Sequence, residues 1–436
     1  MRVLSSDLND HLDKTVTLQG WLHKKRGLGG LMFVVLRDRG GLVQSVVQDE
    51  AEQEKLRGLQ IGTVLSITGK VEKEERAPGG VEIHEPKLEV IVPVMTESPI
   101  EIDKPLSHKP DNLDTLFEYR VLGLRNPLEQ GIFRIQTAIG DAAREYLQSQ
   151  DFVEFHSPKL LAEPTEGGAE VFTLDHFGKT ATLAQSAQFY KQIMVGVYER
   201  VFEFGATYRA EPSLTTRHMS EFITIDAEMG FIDGLQDVLD VLSDLLNHTA
   251  TKAWENCEPE LKALGATKPL LTKKIPQITL AELHRRFTEA TGTDTTKEKD
   301  PTPAEERWAS EYAAKELASE AIFITEFPAS DMKFYHHANE SNREVADRAD
   351  LIFRGVEIVT VSQREHRYEV LVAQLKAMGG DPEHSGYKAY LQAFEFGLPP
   401  HGGFGLGLER LTQKMIGLGN VKEATLFPRD MNRLAP

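Results

Sequence analysis

The sequence predicts an α+β protein in two parts: a small N-terminal β-barrel over residues 1–100, and a larger domain over 131–436 in which helices flank an antiparallel sheet. Three observations carry this. Five short strand-like runs crowd residues 13–93, prolines punctuate the stretch that follows, and the remaining strands and helices come in mixed order without βαβα alternation.

A chain of 436 residues allows two or three domains with well-buried interiors. With 67 acidic against 49 basic side chains the net charge is −18, which speaks against a surface broadly adapted to phosphates. The distribution says more than the total. Between residues 14 and 44, Lys14, Lys24, Lys25, Arg26, Arg37 and Arg39 face Asp38 alone, so this segment is a local basic patch of +5 in a chain that is otherwise acidic. No apolar run approaches the roughly 18 residues of a membrane span, and MRVLSSDLND has no apolar stretch behind a basic start, so a cytoplasmic protein without membrane contact is expected. The single cysteine, Cys257, excludes an intrachain disulfide and a CxxC zinc site, and HExxH does not occur. A metal would have to be held by oxygen.

In the first part, TVTLQGWLHK, LMFVVLRDR, LVQSVVQ, TVLSITGKVEKE and VEIHEPKLEVIV are separated by Gly-rich or charged turns. Five such strands suit a small closed barrel, of which the OB-fold is the commonest with a nucleic-acid face. Pro93, Pro99, Pro105 and Pro110, with the stretch ending near Pro127, mark a linker or hinge over 101–130. Ile132, Ile135, Ile139, Ala142 and Tyr146 then recur at helical spacing, giving one amphipathic helix that ends at Gln150–Asp151. Strand-like segments follow over 152–230, a helix near 236–256, a polar loop at 291–306, and strands again from 321, before a Gly-rich turn and a closing helix.

Two segments carry chemistry. In 201–229, Glu203, Gly205, Thr207, Arg209 and Glu211 alternate with Phe202, Phe204, Ala206, Tyr208 and Ala210, and Thr224, Asp226 and Glu228 alternate with Ile223, Ile225, Ala227 and Met229. Two such arms joined by a loop holding Arg217 and His218 form a hairpin that gathers arginines and carboxylates on one face, as binding a polyphosphate together with amines requires. In 399–411, PPHGGFGLGLERL, Gly403, Gly405 and Gly407 alternate with large apolar residues and lead into Glu409 and Arg410 at a helix start. A strand bare on one side lets a flat base lie against the backbone, with Arg410 near a phosphate. The spacing is GxGxG and not the dinucleotide GxGxxG, and FGKT at 177–180 is no P-loop because Thr173 stands where its first glycine belongs.

Together the two segments resemble the second and third motifs of the class II aminoacyl-tRNA synthetases: Arg-x-Glu, a loop, Arg-His-x-x-Glu-Phe, then a Gly-alternating strand ending in Glu-Arg. The helix at 132–150 followed by Pro158 is similar to the family's first motif, which forms a dimer interface. With the N-terminal barrel, the resemblance covers nearly the whole chain and narrows to the aspartyl, asparaginyl and lysyl subgroup. TEGGAEVF (165–172), QSAQFYKQ (185–192) and GVEIVTVSQREH (355–366) look like the aspartyl enzymes of archaeal type. Ala187 stands where proline is usual, Val361–Ser362 replaces Gly-Ala, and Thr360 replaces serine.

The resemblance implies ATP-dependent activation of L-aspartate to an adenylate, transfer to tRNA(Asp) and also tRNA(Asn), a homodimer and a magnesium requirement. Arg209 and Arg410 are then the catalytic arginines. The nucleotide falls to Arg209, Glu211, Arg217, His218, Met219, Glu357, Gly407, Leu408, Glu409 and Arg410, with Glu211 on the adenine amino group. Aspartate falls to Glu166, Gln188, Lys191, Arg209, Thr360 and Arg364, and magnesium to Glu357 and Thr360. Lys191 and Arg364 are expected as two buried cations that need an anion between them, which a neutral asparagine amide would not supply. In the barrel, Arg26, Phe33 and Gln44 match anticodon-contacting positions, Phe33 as a stacking face and Gln44 as a base-edge partner. His23 and Pro78 stand where strictly discriminating relatives carry a tryptophan and a lysine, which implies relaxed tRNA choice. A strictly discriminating aspartyl enzyme is the alternative, and an asparaginyl enzyme a further one. A non-catalytic tRNA-binding paralogue would have lost the motif arginines, and an amide-forming ligase on the same fold would lack the barrel.

Overall fold

The computed structural model describes residues 2–162, 164, 170–212 and 215–435. The chain divides into two compact units, Met1–Glu129 and Gln130–Pro436.

In the first unit, β1 (Thr15–Leu28), β2 (Leu31–Asp38), β3 (Gly41–Val47), β4 (Val64–Lys73) and β5 (Val81–Val92) close into a barrel in the order β1-β2-β3-β5-β4, with helix α1 (Glu50–Arg57) between β3 and β4. Alternation along β2 decides which side chains fill it: Met32, Val34 and Leu36 are buried, while Leu31, Phe33, Val35 and Arg37 stand on the outer, half-buried face. Phe33 is therefore available on a surface and is not core. His23 sits where the register of β1 against β2 slips between Leu22 and Lys24. Pro78 is exposed, at the start of a short turn whose Gly79 and Gly80 both have φ of 76°. The punctuated stretch 101–130 is more ordered than a linker. It holds α2 (Pro110–Glu118) and α3 (Arg120–Gly123), and Arg120 pairs with Glu129 at 2.8 Å with both side chains buried.

The second unit begins along α4 (Pro127–Ser149), whose first residue is a proline, tolerated there because no helical partner exists for its missing N–H. Ile132, Ile135, Ile139, Ala143 and Leu147 form its buried stripe, each of the larger ones contributing about 1.5–3 kcal/mol on burial. The chain continues through β6 (Val153–Glu154), β7 (Leu160–Leu161), β8 (Thr173–His176), β9 (Lys179–Leu183), α5 (Gln188–Tyr198), β10 (Arg200–Tyr208), β11 (Glu221–Gly230) and α6 (Leu235–Ala263). Then come β12 (Gln277–Thr279), α7 (Leu280–Thr291), α8 (Pro303–Glu316), β13 (Ala321–Pro328), β14 (Val345–Phe353), β15 (Val356–Arg364), α9 (Tyr368–Ala377), α10 (Ser385–Glu395), β16 (His401–Gly407) and α11 (Leu408–Ile416).

Eight strands form one sheet in the order β12-β13-β14-β15-β16-β11-β10-β6, and β7-β9-β8 form a smaller one. The six inner strands of the large sheet pair antiparallel as expected, but β12 and β6 join its two edges in parallel, so the sheet is mixed. The strand-like reading of 152–230 is interrupted by α5, where Phe189, Lys191, Gln192 and Val195 are buried against β10 and β11. The helix expected near 236–256 runs on to Ala263 across a kink at Cys257, two residues before Pro259. Among the described residues no helix is long and apolar enough to cross a membrane.

Candidate active site

A cavity of about 360 Å³ opens on one face of the large sheet, over β11, β15 and β16. Its walls bring together side chains that the sequence scatters over more than two hundred positions. From the resemblance-derived set, Gln188, Lys191, Arg209, Glu211, Arg217, His218, Met219, Glu357, Thr360, Arg364, Gly407, Glu409 and Arg410 all line it. Leu408 does not: its side chain packs against the main core, so only its backbone is available to a nucleotide. Glu166 lies outside the described residues.

One part of the cavity is deeply buried and ionic. Lys191 reaches from α5 to place Nζ 2.8 Å from Asp226 Oδ1 and 3.8 Å from Glu228 Oε2, and donates to the Phe404 carbonyl at 2.8 Å. Arg364, at the end of β15, donates from Nε to Glu228 Oε1 at 2.9 Å, from Nη2 to Glu228 Oε2 and the Gly403 carbonyl, both at 3.2 Å, and from Nη1 to the Ser362 hydroxyl. Burial works against the charge of Asp226, but Lys191 and the Thr224 hydroxyl outweigh it and hold this carboxyl below the usual range. Burial likewise disfavours the charge of Arg364, and Glu228 keeps it firmly protonated. The expectation of two cations lacking an anion is thus corrected: each already has a buried carboxylate, both supplied by alternate residues of β11. What remains for a ligand, among the described residues, is one N–H of the ammonium and one on Nη1 of the guanidinium.

The glycines of β16 belong to this arrangement. A Cβ on Gly403 would lie 2.1 Å from the Ala227 carbonyl oxygen and 2.2 Å from Glu228 Oε2, so the bare backbone at 403 makes room for the buried carboxylate and not for a base. Gly405 and Gly407 are the ones that face the cavity.

The other part is arginine-rich. Arg209 lies just past β10 with Nη1 3.8 Å from Glu211, its guanidinium carbon 5.5 Å from the centre of the Phe222 ring. Arg217 is held at 2.6 Å by Glu306 of α8, whose other oxygen accepts the Glu357 N–H at 3.0 Å. Arg410 donates to the Glu357 carbonyl at 2.9 Å and to the Arg217 carbonyl at 3.4 Å, tying the hairpin loop to β15. Burial, and then the Arg410 charge, push His218 below its ordinary value, so it is neutral at pH 7. Glu409 braces the hairpin by accepting the Ile223 N–H with both oxygens at 3.1 Å, and burial pushes its pKa up to about 7.

Residues 112–431 match the family described as tRNA synthetases class II (D, K and N), and residues 16–91 match the OB-fold nucleic acid binding domain. The chain is a class II aminoacyl-tRNA synthetase of this group. Over its full length, and that of its relative, the synthetase is 41% identical to aspartate–tRNA(Asp/Asn) ligase of Thermus thermophilus. It is 39% identical to aspartate–tRNA(Asp) ligase of Pyrococcus abyssi, with 99% of both chains covered. Among solved structures, asparaginyl-tRNA synthetase of Pyrococcus horikoshii complexed with asparaginyl-adenylate superposes with a TM-score of 0.92 at 31% identity, covering all of both chains. Aspartyl-tRNA synthetase of Entamoeba histolytica gives 0.87 at 28%, covering all of this chain and 93% of that one.

Structure adds residues of the synthetase that sequence reasoning passed over. Asp350 of β14 lies opposite Thr360, with Oδ2 3.0 Å from Arg348 and Oδ1 buried without a partner. Burial pushes its carboxyl up, against Arg348, and the Glu357 charge adds to the shift. Thr360 donates to Glu357 Oε1 at 2.9 Å. Two carboxylates and a hydroxyl, one oxygen of them orphaned, fit a hard divalent cation that takes its remaining ligands from phosphates and water. The Arg348-x-Asp350 alternation could have pointed to this wall. Glu306 carries no such signal, since an acidic residue in the first turn after a Thr302–Glu305 capping box reads as an ordinary helix start.

In the first unit, the three anticodon candidates do meet. Arg26 pairs in register with Phe33, its guanidinium carbon 4.9 Å from the ring centre, and donates to Gln44 Oε1 at 3.2 Å. Gln44 donates in turn to Glu82 at 3.0 Å. His23 is half-buried, and burial with the Arg37 charge pushes it below its ordinary value.

Proposed function

We propose that the protein is an aspartate–tRNA ligase that activates L-aspartate with ATP and charges both tRNA(Asp) and tRNA(Asn). The single observation that carries the reading is one cavity lined both by the buried Lys191 and Arg364 and by Arg209, Arg217 and Arg410. Full-length relatives at 41% identity bear the name aspartate–tRNA(Asp/Asn) ligase, which supports it.

In this reading the side-chain carboxylate of aspartate takes the remaining N–H groups of Lys191 and Arg364, and its ammonium meets Gln188 and Glu166. The α-carboxylate attacks the α-phosphorus in line and pyrophosphate leaves, a reaction governed by positioning and charge, with no general base. Arg209 stabilises the α-phosphate, and Arg217, His218 and Arg410 hold the distal phosphates; His218, being neutral, does so as a hydrogen-bond donor. Glu211 accepts from the adenine amino group. Magnesium, held by Glu357 and Thr360 and with Asp350 added to the set, supplies neutralisation of phosphate charge. The terminal ribose hydroxyl of tRNA then attacks the adenylate.

An asparaginyl enzyme is kept as the second reading because of one observation: with both cations already paired, Asp226, which lines the cavity, has carboxylate lone pairs left to accept from an amide. The deciding assay charges tRNA(Asp) and tRNA(Asn) with aspartate and with asparagine. We expect aspartylation of both tRNAs, because neither the half-buried, neutral His23 nor Pro78, without donor or charge on its exposed turn, offers much to separate C from U at the third anticodon base. A preference for tRNA(Asp) beyond ~10³-fold in kcat/KM, about 4 kcal/mol, rejects relaxed choice. Charging by asparagine alone rejects the substrate.

The reading also includes a cytoplasmic homodimer formed through α4 and the segment around Pro158. Val153 and Leu160, 40% and 52% exposed, leave apolar surface there for a partner subunit. Sedimentation velocity at micromolar concentration is expected to give a dimer; a fully active monomer refutes it.

A further inference from the structure

Beneath the cavity wall, four side chains form a hydrogen-bond chain with only one consistent arrangement of protons. His401, fully buried at the start of β16, places Nδ1 2.8 Å from the Pro399 carbonyl oxygen. A carbonyl only accepts, so Nδ1 carries the hydrogen. Burial drives the histidine down to about 4, so at pH 7 it is neutral and Nε2 is left as an acceptor. The side-chain nitrogen of Gln192, 2.9 Å away, must donate to it. That turns Gln192 Oε1 toward the Tyr390 hydroxyl and Gln188 Nε2, each at 3.0 Å. An oxygen again only accepts, so both of those groups donate.

The consequence reaches the ligand. With its nitrogen committed to Gln192, Gln188 has its carbonyl oxygen left for the cavity, and no described residue donates to it. The orientation of the Gln188 amide thus follows from the Pro399 carbonyl at the far end of the chain. We propose that Gln192 and His401 are positioning residues that fix the flip of the Gln188 amide, so that an acceptor and not a donor meets the ammonium of the amino acid substrate. The inference rests on the reading of this cavity as the amino acid site. Neither Gln192 nor His401 lines the cavity, and both are completely buried, so whatever they contribute to binding passes through Gln188. An ammonium has three donors and no acceptor; the opposite flip would point two N–H groups at it.

The test compares aspartate with succinate, the same dicarboxylate without the ammonium, in pyrophosphate exchange by the full-length protein. Gln192→Met keeps the volume but removes the direction of the chain. It is expected to raise KM for aspartate about tenfold or more, the scale of one hydrogen bond to a charged group, while kcat, KM for ATP and inhibition by succinate stay within about twofold. Gln192→Glu still accepts from Tyr390 and Gln188, with His401 taking up a proton to face it, and is expected to restore KM for aspartate to within about threefold of wild type. A merely structural role would weaken aspartate and succinate alike, and that result, or no change in either, overturns the proposal. If the wild type proves to use asparagine instead, the substrate assignment fails separately. The same variants are then read with asparagine against succinamate, since the ammonium is common to both substrates.

Discussion

Lys191→Met is expected to reduce aspartate-dependent pyrophosphate exchange by at least about 10²- to 10³-fold, because removing one member of a buried, hydrogen-bonded charge pair costs about 3–5 kcal/mol. The cost falls on two things at once. Asp226, 2.8 Å from Nζ, and Glu228 lose their compensating cation, so the folded state is weakened along with the site. A second variant separates the effects. Adding Asp226→Asn to Lys191→Met removes the orphaned charge and is expected to recover most of the urea-unfolding stability while exchange stays lost. Exchange returning with stability would mean that Lys191 serves the fold alone, and the aspartate assignment would be withdrawn.

Arg209→Gln is expected to behave differently, lowering kcat for adenylate formation by about 10²- to 10³-fold, the usual cost of removing one charge-stabilising donor aimed at a developing anion. Its side chain is 40% exposed and only loosely paired, 3.8 Å from Glu211, so thermal stability should hardly change. Single-turnover rates of adenylate formation, measured beside a melting curve, check both halves. A rate within about threefold of wild type sinks the assignment of Arg209 to the α-phosphate.

The parts of the fold legible in the sequence are those governed by local periodicity. Residues 202–211 and 223–229 each alternate side chains of opposite faces, and β10 and β11 pair there in uninterrupted register from Arg200 opposite Met229 to Tyr208 opposite Glu221. The barrel strands and the stripe of α4 were legible for the same reason. Contacts that join distant segments leave no such mark. Gln192 looks like part of a polar run until α5 buries it against the sheet, and Glu306 meets Arg217 across 89 residues of chain. The polar face of the hairpin reads from sequence as a surface; Glu203, Asp226 and Glu228 are in fact among its most buried members. Burial inverts their meaning, from solvated charges to fixed counter-ions, and only the three-dimensional packing of α5, β15 and β16 supplies it.

Gly403 has a consequence for how this protein can change over generations. Every missense substitution reachable from a glycine codon by one base introduces at least a Cβ, and at this position that atom would sit 2.1 Å from one oxygen and 2.2 Å from another. No single mutational step leads away from glycine here without moving the Glu228 carboxylate, and with it the anchor of Arg364. Variation at 403 and 228 is therefore coupled, and a library of random single substitutions should return silent codons at Gly403 while tolerating ordinary side chains at Gly29 or Gly30, where nothing stands within 4 Å and the backbone must absorb only the strain of a positive φ.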